Sequence, residues 1–81
     1  MKAGTELGLS NEVATELTIQ TMVGAAKLLA TSGKSAATLR QNVTSPNGTT
    51  AAALASFAES NLAEVVKKAM VAARDRSQEL A

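Results

Sequence analysis

The sequence of 81 residues contains no cysteine, histidine, tryptophan or tyrosine, and Phe57 is its one aromatic residue. These absences exclude disulfides, the commonest zinc sites and most acid–base or nucleophilic catalytic arrangements. A chain this short is near the limit of independent stability, and such proteins usually add disulfides, a metal or a partner chain. We therefore expect stability to come from a partner chain, in an oligomer.

An excess of charge of one sign is also lacking, because eight basic and seven acidic residues are interspersed and give a net charge of +1. Nucleic-acid binding would need a basic face and, for single strands, stacking aromatic residues. No apolar run approaches the ~20 residues of a membrane span, and no signal peptide is recognisable at the start. We expect a cytoplasmic protein without nucleic-acid or membrane partners.

Carboxylates are the ionisable groups that remain as candidates for catalysis. They stand on predicted helices at positions typical of solvated faces, and buried unpaired carboxylates are rare. We therefore expect them to be exposed and assign no catalytic role to them. They are Glu6, Glu12, Glu16, Glu59, Glu64, Asp75 and Glu79.

Helical periodicity dominates the chain and no strand pattern appears, which predicts an all-α fold of about five helices. Gly8 ends a first helix at residues 1–7. Ser10 caps a long second helix over residues 11–32, and Gly33 ends it. Apolar residues three and four apart form a seam on this helix. The seam consists of Ile19, Met22, Val23, Ala26, Leu29 and Ala30.

The third helix is predicted to be short, with Ser35 as its N-cap and with Leu39 and Val43 four residues apart. The densest group of turn formers follows. Within it, Ser45-Pro46-Asn47-Gly48 suits a β-turn in which proline presets the backbone at the second position. Thr49 or Thr50 then caps a fourth helix.

Asn61 and Glu64 resemble a capping box that opens the last helix.

The apolar seams of the long helices suit the core of a monomeric bundle, a homodimer interface or a groove for another protein's helix. We favour the homodimer, because short helices with a single aromatic residue bury little apolar area alone. The apolar face of the last helix consists of Leu62, Val65, Val66, Ala69, Met70 and Ala73.

The segment at residues 45–50 has the features of an anion-binding site. A turn that leads directly into a helix presents unpaired N–H groups at the positive end of the helix dipole. The N–H groups of Gly48, Thr49 and Thr50, beside the hydroxyls of Ser45 and Thr50, suit a small carboxylate. No lysine follows the glycine, so this is not a nucleotide-type phosphate loop. The same residues are also ordinary turn and cap formers, and both interpretations stay open.

Three segments follow one another at a specific spacing: Gln-Thr-Met-Val-Gly-Ala-Ala-Lys at residues 20–27, Thr-Ser-Pro-Asn-Gly-Thr-Thr at residues 44–50, and Arg-Ser-Gln-Glu-Leu at residues 76–80. Together they resemble the C-terminal part of pyrroline-5-carboxylate reductases, over essentially the whole chain. One departure is Asn47, where that family commonly has a second glycine. Asparagine is the non-glycine residue most tolerant of a left-handed backbone, so the turn should survive.

The resemblance implies one domain over residues 1–81, a helical dimerisation and substrate-binding domain of the 6-phosphogluconate dehydrogenase-like type, interleaved with its copy in a homodimer or a higher oligomer. It implies an oxidoreductase that reduces 1-pyrroline-5-carboxylate to L-proline with NADPH or NADH in proline biosynthesis. An N-terminal dinucleotide-binding domain, absent from this chain, would hold the cofactor. The chain alone is therefore expected to be inactive and to bind neither cofactor nor metal.

The resemblance also assigns roles in the loop. Ser45 and the backbone N–H groups of Gly48, Thr49 and Thr50 would bind the substrate carboxylate at the dimer interface. The Thr50 hydroxyl would lie near the ring nitrogen, where it orients the imine or helps to deliver a proton. The alternative function is a stand-alone helical homodimer that acts as a non-catalytic interaction module. Binding of proline near residues 45–50 separates the two.

Overall fold

The computed structural model describes all residues, 1–81, and contains five helices and no strand, so the all-α prediction is confirmed. The chain divides into two units, Met1–Arg40 and Gln41–Ala81. None of the helices combines the length and the apolarity that crossing a bilayer requires. The helices are α1 (Lys2–Glu6), α2 (Asn11–Ser32), α3 (Ala36–Asn42), α4 (Thr49–Glu59) and α5 (Leu62–Leu80).

Helix α1 ends in a Schellman motif, in which a left-handed residue turns the chain away and two N–H groups satisfy carbonyls of the last turn. The left-handed residue is Gly8, with φ +104°. Its N–H donates to the Thr5 carbonyl at 3.1 Å, and the Leu9 N–H donates to the Gly4 carbonyl at 3.0 Å. The predicted stop at Gly8 is confirmed.

Helix α2 has the bounds that its cap residues predict. The Ser10 side chain accepts a hydrogen bond from the Val13 N–H at 3.2 Å, which satisfies one of the free donors of the first turn. At the other end Gly33 adopts a left-handed backbone with φ +71°. Both caps are local features, and the prediction of residues 11–32 is confirmed.

Within the unit Met1–Arg40, α1 packs against the start of α2. Ala14 is 2% exposed and is the one buried residue of the chain. A Cβ added to Gly4 would lie 3.1 Å from the Ala14 Cβ and 3.5 Å from Leu9 Cδ1. The contact therefore depends on the missing side chain of Gly4.

Helix α3 begins as predicted but ends one residue before its predicted last apolar position. The Ser35 hydroxyl oxygen accepts a hydrogen bond from the Thr38 N–H at 3.1 Å, so the N-cap is confirmed. The helix stops at Asn42, and Val43 lies outside it with 62% of its surface exposed. Val43 thus belongs to the loop and not to a buried helical face.

The predicted N-cap of α4 and the predicted capping box of α5 are wrong, although Asn61 does occupy the N-cap of α5. Gly48 occupies the N-cap of α4, where Thr49 or Thr50 was expected. The N-cap of α5 is Asn61, but its side chain makes no cap hydrogen bond and its backbone is left-handed, with φ 57° and ψ 45°. A capping side chain reaches the first turn from an extended backbone, so the left-handed conformation removes the predicted capping box.

The apolar faces of the two long helices lie exposed. On α2, Met22 is 68% and Val23 55% exposed; on α5, Val65 is 57% and Met70 67% exposed. The chain therefore does not bury these side chains in a core of its own, and the monomeric-bundle interpretation is wrong for them.

All seven acidic residues are exposed, as predicted. Three of them form ion pairs at the surface, namely Lys2–Glu6, Arg74–Asp75 and Arg76–Glu79. Pairs this exposed contribute little to stability. The acidic side chains thus lie on solvated faces.

Candidate anion-binding site

A β-turn at residues 45–48 precedes α4, within the unit Gln41–Ala81. The Gly48 N–H donates to the Ser45 carbonyl at 3.0 Å, which closes the turn. Pro46 occupies the second position, and Asn47 at the third has φ +61°. Proline followed by a residue of positive φ is the type II pattern, so the predicted turn is confirmed.

Asn47 is suited to the left-handed backbone that it adopts in the turn. The left-handed region favours glycine and, among other residues, asparagine. The side chain of Asn47 is exposed and makes no hydrogen bond within the chain. Asparagine at this position therefore keeps the turn and adds an unpartnered amide to its surface.

Gly48 is required for a different reason, since its φ of −85° is open to any residue. A Cβ at this position would lie 3.2 Å from the Ser45 carbonyl oxygen and 3.4 Å from the Ser45 Cβ. Such a contact is tight, and the backbone of the turn would have to shift to relieve it. The glycine thus lets the turn fold closely onto the start of α4.

The start of α4 leaves a set of N–H groups without acceptors. The first intrahelical bond runs from the Ala52 N–H to the Gly48 carbonyl, at 3.1 Å. The N–H groups of residues 49–51 precede it and have no acceptor in the helix. The Gly48 N–H, by contrast, is engaged by Ser45 in the turn.

The donor set therefore differs by one residue from the set inferred from the resemblance. The N–H groups of Thr49 and Thr50 are free as expected, whereas that of Gly48 is occupied and that of Ala51 is available. With Gly48 at the N-cap, the free donors are the N–H groups of the three residues that follow it, residues 49–51.

Two hydroxyls accompany these N–H groups. Ser45 is exposed and Thr50 is half-buried, and neither side chain makes a hydrogen bond within the chain. The stretch from Gln41 to Ala58 carries no charged residue, so no carboxylate in it competes for the donors. The arrangement suits a small anion that is bound by dipoles and hydrogen bonds.

The start of α5 also leaves N–H groups without acceptors, at residues 62–64, but there the carboxylate of Glu64 lies in the first turn. Two open depressions follow the surfaces of α2 and α5, and each is lined by residues of a single helix. The depression on α5 includes Val66 and Met70 of its apolar face, whereas Ile19 is the one apolar residue that lines the depression on α2. No group of three or more acidic residues is placed to hold a metal ion.

Exposed apolar faces on a small all-α chain, with one loop of free N–H donors, define a helical association module. A model of the family described as pyrroline-5-carboxylate reductase dimerisation matches residues 1–80. The chain belongs to this family, and the resemblance inferred from the sequence is confirmed.

Individual relatives agree with the family. The chain is 51% identical over 79 residues to the pyrroline-5-carboxylate reductase of Pseudomonas aeruginosa, with 98% of this chain and 29% of the relative covered. It is 42% identical over 79 residues to pyrroline-5-carboxylate reductase 1 of Bacillus subtilis, with 98% and 27% covered. The chain thus spans less than a third of the length of these curated relatives.

A solved structure shows the same fold. The crystal structure of Plasmodium falciparum pyrroline carboxylate reductase with NADP bound matches with a TM-score of 0.90 and 33% sequence identity. The match covers 94% of this chain and 31% of that one. The fold of the chain is therefore that of the dimerisation domain of this enzyme family.

Proposed function

We propose that this chain is the dimerisation and substrate-binding part of a cytoplasmic reductase that converts 1-pyrroline-5-carboxylate to L-proline with NADPH or NADH. The observation that carries the proposal is the set of free N–H donors at residues 49–51, at the start of α4. Its support from the comparisons is the family and the names of the relatives, which specify a cyclic carboxylate as the compound reduced.

In the proposed site, the substrate carboxylate accepts hydrogen bonds from the N–H groups of residues 49–51 and from the Ser45 hydroxyl. A hydrogen bond to a charged group contributes about 1.5–3 kcal/mol. Association of a small molecule costs about 4–15 kcal/mol in lost freedom. The two terms are of similar size, so we expect L-proline alone to bind weakly.

The Thr50 hydroxyl has a separate role in the proposal. It belongs to the second residue of α4, so it stands beside the carboxylate donors, and it is half-buried without a partner in the chain. There it hydrogen-bonds the ring nitrogen, orients the imine or helps to deliver a proton to it. Such a site works by positioning, which needs no ionisable side chain.

The exposed faces of α2 and α5 support the homodimer, in which two copies interleave and can assemble further. Burying an aliphatic side chain fully stabilises an assembly by about 1.5–3 kcal/mol. Several apolar side chains are more than half exposed, among them Met22, Val65 and Met70. Burying them in both copies releases enough free energy to offset the cost of association. In this proposal each copy covers the apolar face of the other.

The nicotinamide cofactor supplies the hydride when it is bound to the whole enzyme. The usual dinucleotide site needs a strand, a glycine-rich turn and a helix, and this chain contains no strand. We therefore assign no cofactor-binding residue to the chain. It is expected to hold substrate and partner and to show no NADPH-dependent reduction by itself.

An NMR titration of the purified chain with L-proline tests the proposal, with the mass measured by light scattering in the same buffer. We expect a dimer whose amide shifts are confined to residues 45–51. L-Prolinamide is the matched control, because it keeps the ring and lacks the carboxylate. Equal shifts with both ligands would contradict the carboxylate role. A dimer without shifts at high proline would favour the non-catalytic interaction module.

A further inference from the structure

We propose that Asn47-Gly48 is a site of spontaneous deamidation, and that the reaction places a carboxylate in the loop before α4. Deamidation proceeds when the backbone nitrogen of the following residue attacks the side-chain amide carbon of asparagine. A glycine in the following position hinders this attack least, because it has no side chain. The chain contains four asparagines, and Asn47 is the one that precedes a glycine.

The geometry of the turn favours this labile pair. The φ of +61° at Asn47 favours asparagine or glycine over other residues. At Gly48, a Cβ would lie 3.2 Å from the Ser45 carbonyl oxygen, which disfavours any side chain. Once position 47 is asparagine, the tight contact at position 48 favours glycine after it, and the result is the reactive Asn-Gly pair.

The reacting groups are accessible. The Asn47 side chain is exposed and its amide makes no hydrogen bond within the chain. The attacking nitrogen is held by one hydrogen bond, from the Gly48 N–H to the Ser45 carbonyl at 3.0 Å. Opening one such bond slows the reaction by roughly two- to thirteenfold relative to an open chain. The turn therefore delays the reaction without preventing it.

The overall reaction consumes one water molecule and releases one ammonia, and it needs no other reactant. A base in solvent takes the Gly48 amide proton, and the nitrogen forms a bond to Cγ of Asn47. The bond from Cγ to Nδ2 breaks, and ammonia leaves with a proton. Water then opens the five-membered succinimide at either carbonyl, which gives aspartate or isoaspartate at position 47. The net change is the hydrolysis of an amide, with no oxidant or reductant.

Asn61 provides an internal comparison with the same backbone conformation. It is exposed and left-handed, with φ 57°, but it precedes Leu62, whose side chain hinders attack on the asparagine. Asn42 precedes the β-branched Val43, and Asn11 precedes Glu12. Asn47 and Asn61 are thus alike in φ and exposure, and the Leu62 N–H lacks the hydrogen bond that holds the Gly48 N–H. Faster reaction at Asn47 would therefore reflect the following residue.

The consequence for ligand binding rests on the proposed function of the loop. The new carboxylate at position 47 lies two residues before the free N–H groups of residues 49–51, next to the bound anion. Two like charges about 4 Å apart in water weaken binding by about fivefold. Isoaspartate also adds a backbone atom to the turn between Ser45 and Gly48. Ageing of the protein thus reduces its affinity for a carboxylate ligand.

Peptide mapping by mass spectrometry tests the modification. The purified chain is incubated in mildly alkaline buffer, and the acid form of each asparagine is measured over time. We expect it to accumulate first at position 47, as aspartate and isoaspartate together, and faster at higher pH. An intact amide at position 47, or equal accumulation at Asn61, would overturn the proposal. Asn47→Gly keeps the backbone conformation and should abolish the signal.

A proline titration of Asn47→Gly and Asn47→Asp tests the consequence. We expect Asn47→Asp to bind L-proline about fivefold more weakly than Asn47→Gly, and equal affinities would overturn this part. Failure of the proposed function looks different, because then fresh unmodified chain does not bind L-proline either. Peptide mapping by mass spectrometry shows whether Asn47 is deamidated, whether or not the chain binds L-proline.

Discussion

The Ala14 Cβ lies 3.1 Å from the position that a Cβ on Gly4 would occupy. Ala14 is also the one buried residue of the chain, so this contact joins α1 to α2 where burial is greatest. Two small residues let the helix backbones approach closely. The packing of α1 therefore depends on a glycine that no turn or positive φ requires.

Replacing Gly4 by valine should detach α1 from α2. Added methyl groups meet Ala14 and Leu9, and such overpacking costs about 1–3 kcal/mol. We expect a lower urea midpoint at fixed chain concentration and faster amide exchange at Leu9, whose N–H donates to the Gly4 carbonyl.

Gly24→Val is the control for this variant, because it makes the same substitution within α2 at a position where an added Cβ meets nothing within 4 Å. It carries the same change in helix propensity without the contact to Ala14. A Gly4→Val protein as stable as Gly24→Val would contradict the role of the Gly4–Ala14 contact.

Replacing Ser10 by alanine should destabilise the start of α2. The Ser10 side chain accepts from the Val13 N–H, and loss of such an N-cap costs about 1 kcal/mol. Thermal unfolding at fixed concentration checks this. Ser77→Ala, on the exposed surface of α5, should leave the midpoint nearly unchanged. Equal effects of the two variants would show that the cap contributes nothing.

Replacing Gly48 by alanine should deform the turn before α4. Its Cβ would lie 3.2 Å from the Ser45 carbonyl oxygen, and alanine is also a poorer N-cap than glycine. We expect a loss of about 1 kcal/mol of stability and weaker proline shifts at residues 45–51. Gly24→Ala is the matched control, since a Cβ there meets nothing within 4 Å. Proline shifts that survive in Gly48→Ala would contradict the proposed site.

Replacing Met70 by glutamate should weaken the proposed homodimer. Met70 is 67% exposed in the chain, so the substitution leaves the fold of a lone chain intact. In a dimer that covers this face, an unpaired charge is buried at a cost of several kcal/mol. Sedimentation or light scattering over a dilution series would measure the shift towards monomer.

Gln78→Glu is the control for that experiment, because it adds the same charge to an exposed position of α5. It should leave the dimer unchanged. If Met70→Glu also stays dimeric at every concentration, then α5 does not present this face to its partner.

The helix ends that the sequence predicts well are those fixed by neighbouring residues. Gly8, Ser10 and Gly33 act within one turn of their own position, and the structure places each as expected. Asn61 occupies the N-cap of α5 as predicted, but its capping box with Glu64 is wrong because its backbone is left-handed, which its side-chain type alone does not reveal. Local chemistry is therefore predictable where one conformation dominates.

The features that the sequence does not predict depend on position in space. The approach of Gly4 to Ala14 joins residues ten apart across a turn, and no periodicity marks it. In the loop, the β-turn at residues 45–48 was predicted, but the hydrogen bond that occupies the Gly48 N–H and the start of α4 at Thr49 were not. A shift of one residue in a helix start changes which N–H groups face a ligand.

The charge-free stretch from Gln41 to Ala58 gives the loop no proton of its own to gain or lose. A carboxylate bound there would meet the same donors throughout the neutral range, and a change of affinity with pH would report the ligand's own titration or more distant groups. Deamidation of Asn47 would create the first acid in the stretch, and a carboxyl group stays ionised throughout the neutral range. The aged loop would then carry a fixed negative charge, which lowers its affinity for a carboxylate by a similar factor at every neutral pH.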